Sequence, residues 1–204
     1  MGGDEMGLFF AGILSYCLGS IPSGLLFGKY IWGVDLREHG SKNIGATNAW
    51  RILGKGPGLL VFTADLLKGV FGVALGLYFV GTPLAMILGG IAAIVGHGWS
   101  IFLGFKGGKG VATGLGVVTM LMPHVTLVIL GVWIAIVFFS KYVSLGSVIA
   151  AALVPIVAYI FDEPLEFLYF GIIAAIFVIC RHKTNIERLI NGTESKIRSG
   201  HINK

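Results

Sequence analysis

Long apolar stretches separated by short polar loops dominate this chain and restrict it to a helical membrane fold. The clearest stretches cover residues 8–32, 57–80, 83–104, 144–161 and 165–180. A helix needs about 20 apolar residues to cross a ~30 Å hydrocarbon core, and a helix satisfies its own backbone hydrogen bonds there. With 55% hydrophobic and 12% charged residues, the chain is too apolar for a soluble domain.

The positions of the basic residues decide how often the chain crosses the membrane. Loops rich in Arg and Lys stay in the cytoplasm, which places residues 33–56, residues 105–110 and the basic tail on that side. The basic tail lies in the cytoplasm only if the apolar stretch 111–140 is divided at Pro123 into two crossings. The first of these two crossings is then about a dozen residues long. The sequence therefore predicts an all-α polytopic membrane protein with seven transmembrane helices, one of them short, with the N-terminus outside and the C-terminus cytoplasmic. A single integral-membrane domain over residues 1–204 is expected.

The first cytoplasmic loop contains a polar segment, residues 40–51, that we call the first island. It combines glycines with hydroxyl and amide side chains, a composition suited to holding phosphate through backbone N–H groups and side-chain donors. Its candidate substrate-binding residues are Ser41, Asn43, Gly45, Thr47, Asn48 and Arg51. Arginine can bind phosphate or carboxylate through two parallel hydrogen bonds. A basic loop on lipid headgroups is less favoured here, because amides and hydroxyls outnumber the cations. That headgroup interpretation is preferred for the cations Arg37, Lys42 and Lys55.

A second polar segment, the glycine loop, consists of Lys106, Gly107, Gly108, Lys109 and Gly110. Glycines that precede a helix expose backbone N–H groups to an anion at the positive end of that helix. The Walker A spacing is absent. Because the helix that follows is too short for the bilayer, its N-terminus is expected inside the membrane's depth. The alternative is an ordinary interfacial turn with two snorkelling lysines.

Polar residues inside the apolar stretches provide further candidates. His97 lies near the cytoplasmic end of the third stretch, where a structural and a functional role both remain open. Asp65 and Lys68 lie one turn apart and are predicted to pair with each other. Charged side chains inside a membrane are costly and are usually either paired or functional. A structural ion pair and a contact with substrate therefore both remain possible roles for these two residues.

The last two apolar stretches begin and end with polar residues on the cytoplasmic side. Ser144 is expected to cap the sixth span, whereas Ser147 lies one turn inside it. His182 and Asn185 follow the seventh span and lie one turn apart, so they can face a cavity together.

These motifs together resemble the bacterial acylphosphate-dependent glycerol-3-phosphate acyltransferase family. The resemblance rests on the two polar segments, on His97, and on residues 19–24, 143–147 and 181–186, and covers nearly the whole chain. It implies transfer of a fatty acyl group from acyl phosphate to the 1-hydroxyl of glycerol 3-phosphate. The products would be lysophosphatidic acid and inorganic phosphate, in the first step of phospholipid synthesis. It also implies a bacterial cytoplasmic membrane, with the active site on the cytoplasmic face.

The residues and the resemblance agree on the class of mechanism. The first island and the glycine loop are predicted to hold acyl phosphate, and Arg51, Lys109, His182 and Asn185 to bind glycerol 3-phosphate. The predicted catalytic residues are His97, Lys109, Ser147 and His182. Three groups remain candidates for the general base: His97, His182 and a phosphate oxygen of the substrate. Apart from Glu187, no carboxylate stands near either histidine in sequence.

The expected partners are the two phosphate substrates and membrane lipid. A net charge of +5 favours anionic lipid or substrate, and no nucleic-acid partner is predicted. No metal or other cofactor is expected, and a phospholipid alcohol-transferase is disfavoured because Asp35, Asp65 and Asp162 are scattered. A monomer is expected. The alternative function is an organic-phosphate transporter with a half-helix anion site, which should show paired repeats and polar residues towards both faces.

Overall fold

The structure, a computed structural model, describes residues 2–197, which are helical wherever they are regular. The α-helices are α1 (Gly3–Ser20), α2 (Ser23–Trp32), α3 (Ala46–Leu53), α4 (Lys55–Phe79), α5 (Pro83–Gly98), α6 (Val111–Leu121), α7 (Pro123–Ser140), α8 (Val143–Ile160), α9 (Leu165–Arg181) and α10 (Lys183–Ile190). A short 3-10 helix, Ile101–Leu103, follows α5.

Within the described residues, five helical segments are long and apolar enough to cross a membrane. They are Gly3–Trp32, Lys55–Phe79, Pro83–Leu103, Pro123–Ser140 and Val143–Ile160. The pair α9 and α10, bent by 61°, makes a sixth if it is taken as one broken span. The predicted short crossing is α6, whose 11 residues are fewer than a full span needs. The all-helical membrane fold is thus confirmed, while the count of seven stays a prediction.

Glycine and proline end or begin the helices where the sequence indicates. Glycine, proline and serine residues within 19–24 interrupt the first apolar stretch, and there α1 is separated from α2 at Pro22. Pro83 opens α5, and the hydroxyl of Thr82 caps that helix by accepting a hydrogen bond from a backbone N–H at 3.3 Å. Pro123 opens α7 and divides the long apolar stretch as predicted. Proline is tolerated at these first helical positions because its missing N–H has no intrahelical partner there.

Two short helices, α3 and α10, were not predicted. The first island is not a loop throughout, because its second half forms α3. That helix packs on a small core in which Leu36, Ala49 and Val61 are fully buried. Each helix has eight residues, about two turns, which is too short for helical periodicity to stand out among polar residues.

The chain forms two compact units, one up to Val117 and the other Val118–Ile197, with the boundary inside α6. Whether they behave as the single domain expected from the sequence stays a prediction. In the second unit, α8 packs against α7 and α9. There Gly146 lies against the ring of Trp133, and Gly171 lies against Val154.

In the first unit, α1, α4 and α5 approach until their backbones touch. A Cβ atom added to any of several glycines would overlap a backbone oxygen of the neighbouring helix. These contacts join Gly72 with Gly89, Gly76 with Ala85 and Gly19 with Ala93. Small residues at membrane helix interfaces allow such close packing, in which van der Waals contact replaces the hydrophobic effect.

Replacing Gly89 by alanine tests this packing. Gly→Ala inside a helix normally stabilises by about 0.5–1 kcal/mol, but a Cβ on residue 89 would overlap the carbonyl oxygen of Gly72. We therefore expect Gly89→Ala to destabilise the protein by about 1–3 kcal/mol, measured by thermal unfolding in detergent. Gly12→Ala is the matched control, since a Cβ on Gly12 meets nothing within 4 Å. Equal effects of the two substitutions would contradict the packing described.

Candidate active site

Asn48 organises the first island from a buried position in α3, where it is 2% exposed. Its Nδ2 group donates to the carbonyl oxygens of Leu36, His39 and Asn43 at 3.1, 3.1 and 2.8 Å. Its Oδ1 atom accepts from the backbone N–H of Ser41 at 3.0 Å. One amide therefore fixes the path of the chain before α3, which is a positioning role, whereas the substrate contact predicted for Asn48 stays a prediction.

The remaining residues of the first island lie around the start of α3. The side chain of Asn43 accepts a hydrogen bond from the N–H of Gly45 at 2.9 Å, an Asx turn that leads into the helix. Gly40 has a φ of 58°, and a Cβ there would overlap the Oδ1 atom of Asn48. Ser41 is exposed, whereas Thr47 and Arg51 are half-buried. The structure thus brings the residues predicted in this segment together.

The glycine loop lies directly on His97. The backbone N–H of Gly108 donates to the carbonyl oxygen of His97 at 3.0 Å. A Cβ on Gly107 would overlap that carbonyl oxygen, and one on Gly108 would overlap Nε2 of the imidazole. Glycine is required at both positions because the backbone approaches so closely. The loop is therefore packed and ordered, unlike a free interfacial turn.

The end of the glycine loop leads into α6 as predicted. Gly110 has a φ of 79°, a conformation that glycine adopts readily, and α6 begins at the next residue, Val111. Gly108 and Gly110 are buried, Lys109 is half-buried and Lys106 is exposed. The two lysines thus differ in exposure, and Lys109 lies closer to the helix N-terminus.

A buried ion pair lies behind His97. Lys68 Nζ lies 2.6 Å from Asp65 Oδ1, as predicted, and also donates to the carbonyl oxygen of Ile21 at 2.6 Å, at the break between α1 and α2. The same Asp65 oxygen lies 3.6 Å from His97 Nδ1. The three side chains are at most 6% exposed. His97 therefore has a neighbouring carboxylate, supplied by a different helix, which sequence proximity did not reveal.

The loop between α2 and α3 contains a second ion pair. Arg37 Nη2 lies 2.7 Å from Asp35 Oδ2, and Lys29 Nζ lies 3.4 Å from the same oxygen. The hydrogen bond from the Arg37 guanidinium holds the pKa of Asp35 well below its usual range, although burial opposes that shift. The guanidinium of Arg37 is therefore held by this carboxylate, while its side chain is 49% exposed, and its expected contact with lipid headgroups stays a prediction.

In the second unit, Glu194 forms a clasp that the sequence did not indicate. Its carboxylate accepts from Ser144 Oγ at 2.7 Å, Asn185 Nδ2 at 2.7 Å and Arg188 Nε at 2.8 Å. Burial alone raises the pKa of Glu194, but these hydrogen bonds and the Arg188 charge outweigh it and lower the pKa below its ordinary value. The expected capping role of Ser144 is wrong: Tyr142 occupies the N-cap position of α8, and Ser144 binds Glu194.

Ser147 and His182 are also buried in the second unit, each 3% exposed. The Ser147 hydroxyl donates to the carbonyl oxygen of Val143 at 2.9 Å and accepts from Trp133 Nε1 at 3.3 Å. His182 lies at the bend between α9 and α10, with Nδ1 2.8 Å from the carbonyl oxygen of Val178. Because a carbonyl oxygen only accepts, Nδ1 carries a proton, and Nε2 is the basic nitrogen of the neutral ring.

Comparison with known proteins identifies the family of this chain. Residues 9–192 match the family model described as glycerol-3-phosphate acyltransferase. The chain belongs to that family. The glycerol-3-phosphate acyltransferase of Fusobacterium nucleatum subsp. nucleatum is 45% identical over 193 residues, which are 95% of this chain and 100% of that protein.

Two solved structures of this acyltransferase family have the same fold. They are crystal structures of PlsY (YgiH), an integral membrane glycerol 3-phosphate acyltransferase. The glycerol 3-phosphate form is 40% identical to this chain, with a TM-score of 0.88. The lysophosphatidic acid form is 38% identical, with a TM-score of 0.86. Each match covers 94% of this chain and 96% of the other. The family recognised from the motifs is thus confirmed, while the roles of individual residues stay predictions.

Three contacts that support the predicted site residues of this family member were not predicted from the sequence. Asp65 was a candidate, but its proximity to His97 depends on the packing of α4 against α5. Trp133 had no distinguishing signal in an apolar helix. Glu194 is one acidic residue in a polar tail, so nothing in its surroundings indicated three buried hydrogen bonds.

Asn48→Asp tests the organising role of Asn48. The substitution replaces the donating Nδ2 group by an oxygen that faces three carbonyl oxygens. Because unsatisfied buried groups cost about 1–3 kcal/mol each, we expect a loss of at least about 2 kcal/mol and faster proteolysis within residues 36–43. Asn43→Asp is the matched control, since an aspartate there still accepts from the N–H of Gly45. Comparable loss in both variants would argue against the role given to Asn48.

Glu194→Gln tests the clasp in the second unit. We expect it to destabilise the protein by roughly 1–3 kcal/mol, because a charge-assisted network becomes neutral and partly unsatisfied. The pKa of Glu194 is lower in the folded protein than its ordinary 4.5. The carboxylate therefore contributes fully above that value, and its contribution disappears as the pH falls through the lower folded pKa.

The stability difference between wild type and Glu194→Gln should accordingly be constant near neutral pH and shrink in acid. Thermal unfolding from about pH 7 to about pH 3 measures it. Glu187→Gln, at an exposed position in α10, is the control. A difference that persists unchanged in acid would contradict a stabilising carboxylate at Glu194.

Proposed function

We propose that this protein transfers a fatty acyl group from acyl phosphate to the 1-hydroxyl of sn-glycerol 3-phosphate. The products are lysophosphatidic acid and inorganic phosphate. The observation that carries the proposal is the glycine loop, whose backbone is held against His97 and leads directly into α6. Such a loop suits a phosphate group, and the relatives named as glycerol-3-phosphate acyltransferases support the acceptor.

The reaction needs little more than positioning and charge. The acceptor hydroxyl oxygen attacks the carbonyl carbon of acyl phosphate and forms an ester bond. The bond between that carbon and the bridging phosphate oxygen breaks, and phosphate leaves. Acyl phosphate is an activated donor, so alignment of the two substrates supplies much of the rate. Lys109 and the N-terminus of α6 stabilise negative charge on the reacting groups, and Arg51 binds substrate phosphate. The hydroxyl proton goes to His97, His182 or a substrate phosphate oxygen.

The first unit also offers a place for a long acyl chain. An apolar groove of about 660 Å³ is lined by residues of α1 and α4 and by Phe102 of the 3-10 helix. Leu14, Ile21, Phe71, Tyr78 and Phe102 are among the residues that line it. Ile21 belongs to both this groove and the polar cluster, because its carbonyl oxygen accepts from Lys68. The donor's chain can thus stay in apolar surroundings while its phosphate meets polar groups.

The proposed topology keeps seven crossings, with the N-terminus outside and the C-terminus in the cytoplasm of a bacterial cell. It takes α9 as the seventh span, with α10 following it on the cytoplasmic side, and α6 as the short one. The 11 residues of α6 rise only about 16 Å, so the N-terminus of α6 lies below the membrane surface. The basic residues of segments 33–56 and 105–110 support a cytoplasmic site in the inner membrane.

The second unit supplies the other proposed site residues. His182 and Asn185 bind glycerol 3-phosphate, and Ser147 takes part in catalysis. The clasp of Glu194 supports this proposal, because it holds Asn185 in place. The protein acts as a monomer and needs no metal or other cofactor.

Phosphate release by the purified protein in lipid tests the function. With acyl phosphate and glycerol 3-phosphate, we expect inorganic phosphate and lysophosphatidic acid in equal amounts. Omitting glycerol 3-phosphate should stop the release, and an acyl thioester should not replace acyl phosphate. Absence of phosphate release from the wild type would overturn the proposal and favour transport.

A matched pair of substitutions tests the role of Arg51. Arg51→Lys keeps the charge but removes bidentate binding, so we expect kcat/KM to fall roughly tenfold to a hundredfold. Lys55→Arg, at an exposed position just beyond the first island, should leave kcat/KM close to wild type. Equal effects of the two substitutions would contradict a substrate contact at Arg51.

A further inference from the structure

We infer that Asp65 is a positioning residue for the acyl transfer, acting through His97 on the glycine loop. The inference rests on the proposed function, since it takes the glycine loop as the binding site of the acyl phosphate. It assigns a role to Asp65, and through it to Lys68, two charged side chains that have no part in the proposed mechanism.

The contacts form a continuous chain from the ion pair to the loop. Lys68 lies 2.6 Å from Asp65, and the same carboxylate oxygen lies 3.6 Å from Nδ1 of His97. The opposite ring nitrogen, Nε2, lies so close to Gly108 that a Cβ on that residue would overlap it. The carbonyl oxygen of His97 accepts from the N–H of Gly108 at 3.0 Å. Both the ring and the backbone of His97 therefore contact the loop.

The carboxylate gives the imidazole one preferred state. A negative charge next to Nδ1 favours a proton on that nitrogen, and 3.6 Å is an ion-pair distance and too long for a good hydrogen bond. An aspartate that holds a histidine in one tautomer is a known way to orient the other ring nitrogen. Here that other nitrogen is Nε2, which faces the backbone of the glycine loop.

Lys68 stabilises the buried carboxylate of Asp65 within the membrane. All three ionisable side chains are at most 6% exposed, and a buried charge without a partner is strongly destabilising. The ammonium of Lys68 neutralises Asp65 and donates to the carbonyl oxygen of Ile21. The same carboxylate oxygen lies 3.6 Å from His97 Nδ1, so the ion pair that is stable inside the membrane also places a negative charge beside the imidazole.

The test uses Asp65→Asn, with Asp162→Asn at an exposed loop position as the control. Histidine labelled with ¹⁵N reports the protonation of each ring nitrogen, and His97→Gln identifies the signals of His97. We expect a protonated Nδ1 at His97 in the wild type and a changed ¹⁵N spectrum of His97 in Asp65→Asn. We also expect the KM for acyl phosphate to rise at least about tenfold, and by more than the KM for glycerol 3-phosphate, because misplacement by 1 Å costs about a hundredfold.

A second variant covers the case in which Asp65→Asn fails to fold. Asp65→Asn combined with Lys68→Met removes both charges, leaves no unpaired ion and keeps the net charge. The inference predicts the same change in the His97 spectrum and in the KM for acyl phosphate. An unchanged spectrum, or equal rises in both KM values, would overturn it. If the wild type releases no phosphate, the proposed function fails, and the ¹⁵N spectra still decide whether Asp65 orients His97.

Discussion

Direct backbone contact between α1, α4 and α5 is the constraint on which the first unit depends. Apolar side chains gain nothing by leaving lipid for one another, so membrane helices associate through close packing and polar contacts. Glycine allows that packing here, for example where Gly72 meets Gly89. The same approach of α4 to α5 places Asp65 near His97, and the glycine loop then packs on His97. The position of the candidate phosphate site therefore follows from helix packing some distance away.

Single buried polar side chains fix the conformation of two segments that lie outside the long packed helices, the first island and the segment after α10. Asn48 binds four backbone groups of the first island, and Glu194 gathers donors from α8 and α10. Buried polar networks of this kind are stable only when every member is satisfied. Both segments are consequently shaped before any ligand arrives, which reduces the entropy lost when a substrate binds.

Much of the fold could be predicted because the membrane simplifies the relation between sequence and structure. Apolar length located the spans, and Pro22, Pro83 and Pro123 marked their breaks. The glycine loop and the first island were recognisable by composition, since few other segments are polar. The helices α3 and α10 were missed because two turns give a weak periodic signal. The carboxylate beside His97 and the contact of Ser144 with Glu194 were missed because each joins residues distant in sequence, and the polar surroundings of Glu194 gave no signal for its contacts with Asn185 and Arg188.

The ion pair of Asp65 and Lys68 also bears on how the protein enters the membrane. A single charge near the centre of an inserting helix costs about 2.5–3.5 kcal/mol. These two residues lie one turn apart on α4, so their charges neutralise each other as soon as that helix forms. No other helix has to be present first. The apolar part of α4, residues 57–79, has no other charged side chain, so it can enter the membrane with no net charge, and His97 meets Asp65 when α5 packs against α4.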